Sequence, residues 1–273
     1  MFTKMQSGLR SHLLTVLLAG LFLLSACIPA VSATTPPTAT SAPIAAVEPT
    51  APVATAIPTQ DGALYLSLDT GFQIETVAAV PASENAPYWE VLPEYTRLTL
   101  DGYPISLHLM QPQIFVYPVN DLGAVNEGAG EIAASLQTLL QLPQEIPNMP
   151  FLPLTNGLQA MHAQVQYLDF KTGQGVRFLT QHNTGIAPIN NEQLVYTYQG
   201  MTSDGKYYVA AVLPVTHPEL PATPQVEALS EAELNDYPAY LANTATWLNQ
   251  QPSGSFTPDL TQLDALMRSL EIK

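Results

Sequence analysis

The chain has 273 residues, of which 47% are hydrophobic and 11% charged, and its 23 acidic and 8 basic side chains give a formal net charge of −15 at pH 7. A surface of that sign repels phosphate, which argues against nucleic acid as a partner, and it repels anionic lipid headgroups as well. A single cysteine, Cys27, excludes an internal disulfide.

The first 27 residues read as three zones. Lys4 and Arg10 make a basic start, and no Asp or Glu occurs before Glu48. Leu13 to Leu24 is a twelve-residue apolar run broken only by Thr15. As a helix it would rise ~18 Å, well short of the ~30 Å hydrocarbon core, so it predicts a signal-peptide core rather than a transmembrane span. Leu24-Ser25-Ala26-Cys27 follows and resembles the lipobox of bacterial lipoproteins. That resemblance implies removal of residues 1–26, a diacylglyceryl group on the Cys27 thiol, and often a further acyl chain on the new amine. Two or more chains anchor stably. The expected location is the outer face of the cell membrane, or a site facing the periplasm in a two-membrane cell. Loss of Lys4 and Arg10 leaves six basic side chains against 23 acidic, a net of −17. The lipid, and not the domain, is therefore expected to touch the membrane.

Residues 28–60 are rich in Pro, Thr and Ala, with Glu48 the only charge. Proline fixes φ and disfavours helix at the residue before it. The segment predicts a disordered, polyproline-like tether whose full stretch is on the order of 100 Å.

Residues 61–273 predict one folded domain. Ala63 to Leu68 and Phe72 to Val80 flank Asp69-Thr70-Gly71, which predicts a strand pair around a turn. Tyr95 to Leu100 alternates into Asp101-Gly102, a two-residue hairpin signal, and Gln113 to Val119 is β-rich. Met161 to Phe170 turns through Lys171 to Gly175 into Val176 to His182, and Leu194 to Met201 turns through Ser203-Asp204-Gly205 into Lys206 to Val215. In the last pair Tyr196 and Tyr198 share one face, as do Tyr207, Val209, Ala211 and Leu213; that period of two predicts a half-buried antiparallel sheet. A first helix spans about Asn126 to Leu142, with Ile132, Leu136, Leu139 and Leu140 on one stripe. A second begins at Ser230 with Glu233 completing a capping box, and it restarts at Pro238 with Asp236 as a second cap. A third takes Thr257 as N-cap and Pro258 as its first residue, with Leu260, Leu263, Met267 and Leu270 facing the core. The Pro143 to Pro153 stretch is an irregular loop.

The fold class is therefore α+β, an antiparallel sheet covered by helices and preceded by a disordered tether. The order of hairpins, internal helix, further hairpins and C-terminal helix resembles PsbP-like α/β/α sandwiches. Val176-Arg177-Phe178-Leu179-Thr180, Asn191 to Gly200, Asp204 to Val209 and Leu213-Pro214-Val215 resemble a set of uncharacterised bacterial lipoproteins that also carry a lipobox and a Pro/Thr tether. That second resemblance implies a shared envelope fold and supplies no catalytic residues.

No motif for chemistry emerges. After Cys27 the histidines are His108, His162, His182 and His217, none three or four residues from another. Nucleophile-elbow, EF-hand and Gly-rich nucleotide patterns are absent. Ser203 beside Asp204 sits on a hairpin turn. Glu227, Glu231, Glu233 and Asp236 are explained by helix capping and the helix dipole. Tyr196, Tyr198, Tyr207 and Tyr208 are the candidate ligand face, against cross-strand packing as the simpler account. No catalytic, metal or cofactor-binding residue is assigned; the one site residue is Cys27, for lipid attachment. The expected function is a membrane-anchored envelope lipoprotein presenting a non-enzymatic binding or scaffolding domain, with an envelope protein or surface glycan as partner. The alternatives are a surface hydrolase with an Asp/Glu/His site assembled only in the fold, and a solute receptor.

Overall fold

A computed structural model describes residues 53–59, 62–83 and 85–273, with side chains from residue 65 onward. The signal segment, Cys27 and the tether as far as residue 52 lie outside the described residues.

Two antiparallel sheets organise the described residues. The smaller joins β1 (Val53–Thr59), β2 (Gly62–Leu68) and β10 (Glu271–Ile272) in the order β1-β2-β10. Its first strand falls inside the segment that composition assigned to the tether; the β-branched residues Val53, Thr55 and Ile57 recur there every second position. The larger sheet contains β3 (Phe72–Val77), β4 (Tyr95–Leu100), β5 (Gln113–Pro118), β6 (Leu158–Phe170), β7 (Gly173–Asn183), β8 (Val195–Thr202) and β9 (Tyr207–Pro214). Its order is β3-β4-β5-β9-β8-β7-β6, two antiparallel meanders that meet where β5 pairs with β9.

The β6–β7 and β8–β9 hairpins form as the sequence predicts, with Gly205 at φ +71° in the second turn. β4 and β5 pair as well, but two other expectations fail. β2 and β3 belong to different sheets, because β2 is paired on both sides by β1 and β10 and the chain changes sheet at residues 69–71. Asp69 N–H is taken there by Ser269 Oγ at 3.1 Å. Asp101-Gly102 does turn, with Gly102 at φ +65°, but it opens a long connection and not a two-residue hairpin. That connection lies over neighbouring strand ends. The Tyr103 hydroxyl donates to Pro214 O at 2.7 Å, Leu109 N–H donates to Glu192 O at 3.1 Å, and His108 Nε2 lies 3.0 Å from Leu194 O.

Among the described residues five α-helices complete the fold: α1 (Val119–Val125), α2 (Glu127–Gln141), α3 (Glu231–Asn235), α4 (Tyr237–Gln250) and α5 (Leu260–Ser269). Asn126 caps α2 by accepting from Ala129 N, and its amide donates to Tyr88 O and Val91 O at 2.7 and 3.1 Å. A Cβ at Gly130 of α2 would come within 2.6 Å of Gly123 Cα of α1, so glycines permit the close approach of the two helices. The capping box at Ser230 and Glu233 and the second cap at Asp236 are both present. The start of α5 differs from expectation. Thr257 is bridged to Thr216 through two backbone hydrogen bonds of 2.9 and 3.0 Å, which hold it extended, and Asp259 takes over as N-cap.

The large sheet is covered on both faces, giving an α+β fold. On one face Tyr196, Tyr198, Val209, Ala211 and Leu213 pack with α5, Leu248 of α4 and the strands β2 and β10. On the other, Phe115, Tyr117, Phe178, Tyr208 and Val212 pack under α1, α2 and Met149, Phe151 and Leu152 of the following loop. The half-buried sheet expected from alternation is thus buried throughout β8. Both sets of alternating side chains there are apolar or hydrogen-bonded, and each finds a cover. Burial of each large apolar side chain contributes ~1.5–3 kcal/mol.

Candidate functional site

The residues between α2 and β6 have no regular secondary structure, yet they are fastened to the sheet by two glutamines. Gln199 Oε1 accepts from Leu152 N at 3.0 Å and Gln199 Nε2 donates to Leu152 O at 3.0 Å. Gln159 does the same for Met149, at 2.8 and 3.4 Å. A carboxamide carries one acceptor and one donor side by side, so it can meet a residue's N–H and C=O as a neighbouring strand would. Gln199 also accepts from the Tyr208 hydroxyl at 2.6 Å and donates to Thr197 Oγ1 at 2.7 Å, using both ends of its amide in the core.

This fastened loop walls two cavities, one at the edge of the sheet and one at its strand ends. The larger, about 860 Å³, lies between residues 143–149 and the edge strand β6, where it meets His162, Val165 and Tyr167. The smaller, about 290 Å³, lies between the end of the loop, the 101–112 connection and the ends of β7 and β8. Its apolar walls are Leu109, Met110, Phe151, Val195 and Val212, and its polar groups come from His182, Gln193, Thr184, Thr155 and Asn156.

His182 is the titratable group of this second cavity. The Phe151 ring lies 4.2 Å from its own, centroid to centroid. Burial lowers its pKa to about 4, so the imidazole is neutral at pH 7. Among the described residues its ring nitrogens take no hydrogen bond, and neither does Gln193 Nε2, while Gln193 Oε1 accepts from Asn190 at 2.9 Å and Gln181 at 3.3 Å. Two polar groups without protein partners therefore face a mostly apolar space. The arrangement can hold an uncharged hydrogen-bonding group. It lacks the features of a general base, since no carboxylate lines the cavity to steady an imidazolium and the pKa is far below 7.

The other sequence candidates are dispersed. His162 lines the larger cavity, and burial lowers its pKa. His108 bridges Met110 and Leu194. His217 Nε2 lies 3.1 Å from Ser255 Oγ and the ring packs edge-on to Trp247 and Phe256. Of the four tyrosines offered as a ligand face, three are fully buried. Tyr196 donates to Asp264 at 3.0 Å, Tyr198 to Leu168 O at 2.9 Å and Tyr208 to Gln199. They build the core, and the cross-strand account holds for them. Asp204 is held below its usual carboxylate range, chiefly by the Thr202 hydroxyl that donates to it at 2.7 Å; the Ser203-Asp204 turn is a solvated turn. No group of three or more His, Cys, Asp or Glu side chains suited to a metal occurs among the described residues, and no helix among them is long and apolar enough to cross a membrane. No protein-family model, curated protein or solved structure matches the chain.

The sequence singled out His182 only as a strand-end histidine. Its neighbours Phe151, Leu109 and Gln193 come from three separate connections, and no spacing signal links them.

Proposed function

We propose that this chain is an exported lipoprotein, held to the membrane through lipid on Cys27, whose α+β domain is a non-enzymatic binding module at the outer face of that membrane. The anchor rests on the basic start, the short apolar core and Leu24-Ser25-Ala26-Cys27. The binding role rests on the His182 cavity, where a neutral imidazole and a carboxamide N–H without protein partners meet apolar walls. A mostly apolar pocket with few convergent polar groups is the usual form of a ligand site. A hydrolytic role would require a base poised near neutral pH and a partner to orient it.

Two measurements test the reading. Intact mass of the chain recovered from membranes is expected to equal residues 27–273 plus a diacylglyceryl group, with or without one further acyl chain, and Cys27→Ser is expected to be released from the membrane fraction; an unmodified Cys27 would overturn the anchor. Capture from solubilised envelopes with the full chain is expected to retain a specific protein or glycan that Leu109→Asp, at an exposed wall of the cavity, loses. Recovery of nothing beyond the background of a control column would overturn the binding role.

A further inference from the structure

We propose that the His182 cavity takes a small uncharged molecule with an apolar, preferably aromatic, body and one hydroxyl-like polar end directed at His182 and Gln193. The inference rests on the binding-module reading and specifies its ligand.

The argument begins with what the cavity leaves out. The chain carries 31 charged side chains and a net charge of −15, yet none of the cavity's lining residues is charged. A carboxylate or an ammonium entering it would shed water without meeting an opposite charge, a transfer that is strongly unfavourable. The histidine offers no compensation, because burial keeps it neutral at pH 7.

What the cavity offers is equally specific. A neutral imidazole presents one donor and one acceptor, and Gln193 adds a donor N–H. A hydroxyl can donate to the imidazole acceptor while accepting from the carboxamide, so one polar atom satisfies both. Phe151 already packs on the imidazole and supplies an aromatic wall, with Val195 and Val212 from the sheet behind it. About 290 Å³ is at the small end of the ~300–1,000 Å³ range of ligand pockets, which favours a single ring over an extended chain.

Phenol, toluene, benzoate and benzylammonium are the probes. Each is titrated into the full-length chain in detergent, with its free concentration set by equilibrium dialysis, while the His182 ring nitrogens are followed by NMR. Phenol is expected to shift His182 saturably at pH 7 and to bind roughly fivefold more tightly than toluene, the ratio of about one hydrogen bond. Benzoate and benzylammonium are expected to bind at least tenfold more weakly than phenol. His182→Phe should erase the preference for phenol over toluene. Leu109→Asp, at a wall residue that is 61% exposed and so tolerant of change, should weaken phenol and strengthen benzylammonium. The proposal is overturned if no probe shifts His182, if a charged probe matches phenol, or if His182→Phe leaves the phenol-to-toluene ratio unchanged. Failure here with a partner still captured from envelopes removes the ligand class and leaves the binding module standing; phenol binding with no captured partner does the reverse.

Discussion

Replacing Asp264 by Ala should be among the most damaging single changes in the domain. Asp264 Oδ1 lies 3.2 Å from Arg177 Nε, with the two side chains only 5% and 4% exposed. Arg177 also donates to Gln164 O and to Gln166 Oε1, and the Tyr196 hydroxyl donates to the same Asp264 oxygen at 3.0 Å. Asp264→Ala leaves the guanidinium buried without its counter-charge, a loss of ~3–5 kcal/mol. It also strands the Tyr196 hydroxyl, at a further ~1 kcal/mol or more. In a domain of this size each kcal/mol moves the midpoint by ~2–4 °C, so thermal unfolding should drop by at least ~8 °C. The double variant Arg177→Met with Asp264→Leu separates the causes. Without a buried charge it should be more stable than Asp264→Ala alone, although it has lost more hydrogen bonds. Guanidinium unfolding of the wild type, Arg177→Met, Asp264→Leu and the double variant gives the cycle. A cost below ~1 kcal/mol for Asp264→Ala, or a double variant less stable than the single one, would refute the account of a desolvated, mutually dependent pair.

The remaining predictions concern the loop, the histidine and one stranded hydroxyl. His182 has a folded pKa of about 4 against 6.5 unfolded, so above pH 6.5 it contributes nothing; as pH falls from 6.5 to 4 only the unfolded chain takes the proton, and stability drops. The loss between pH 7 and 4 should be smaller in His182→Phe by about 2–3 kcal/mol, and an NMR midpoint at or above 6.5 for His182 would sink this. Gln199→Leu should cost at least ~3 kcal/mol by stranding Leu152 N–H and C=O and the Tyr208 hydroxyl, and should speed exchange of the Leu152 amide; unchanged exchange would show that the loop is held some other way. Tyr117 Oη is buried without a hydrogen-bond partner among the described residues, so Tyr117→Phe should stabilise the domain by ~1 kcal/mol in urea unfolding. A clear destabilisation would mean that the hydroxyl is satisfied after all.

Local signals in the sequence survived into the structure where nothing distant competed with them. Ser230 with Glu233, Asp236 before Pro238, and the Gly205 turn each depend on a few adjacent residues, and all three appear where they were expected. Thr257 failed as a cap because Thr216, some forty residues earlier, holds its backbone extended. The β2–β3 pairing failed for a similar reason: β10, at the opposite end of the chain, takes the edge that β3 was expected to fill. α1 carried no cap signal, and its approach to α2 depends on Gly123 meeting Gly130. The buried Arg177 could not be read either, since a strand arginine looks solvent-facing until its partner on α5 is placed. The cavity was illegible for the same reason, being assembled from side chains that only tertiary contacts bring together.

The loop between Gln141 and Leu158 ties these features to the functional reading. Sixteen residues without regular structure are unusual inside a domain, and ordering each one costs ~1–2 kcal/mol of backbone entropy. Met149, Phe151 and Leu152 offset part of that by covering Phe178 and Tyr208, and the two glutamine clamps satisfy backbone groups that would otherwise be buried bare. Covering the sheet accounts for the middle of the loop but not for its flanks. Residues 143–147 and 155–157 are more exposed than the middle of the loop, and each flank lines one of the two cavities. The flanks of the loop line the cavities as its middle lines the core, and of the two cavities it is the smaller, with its neutral histidine and uncharged lining, on which the proposed binding role rests.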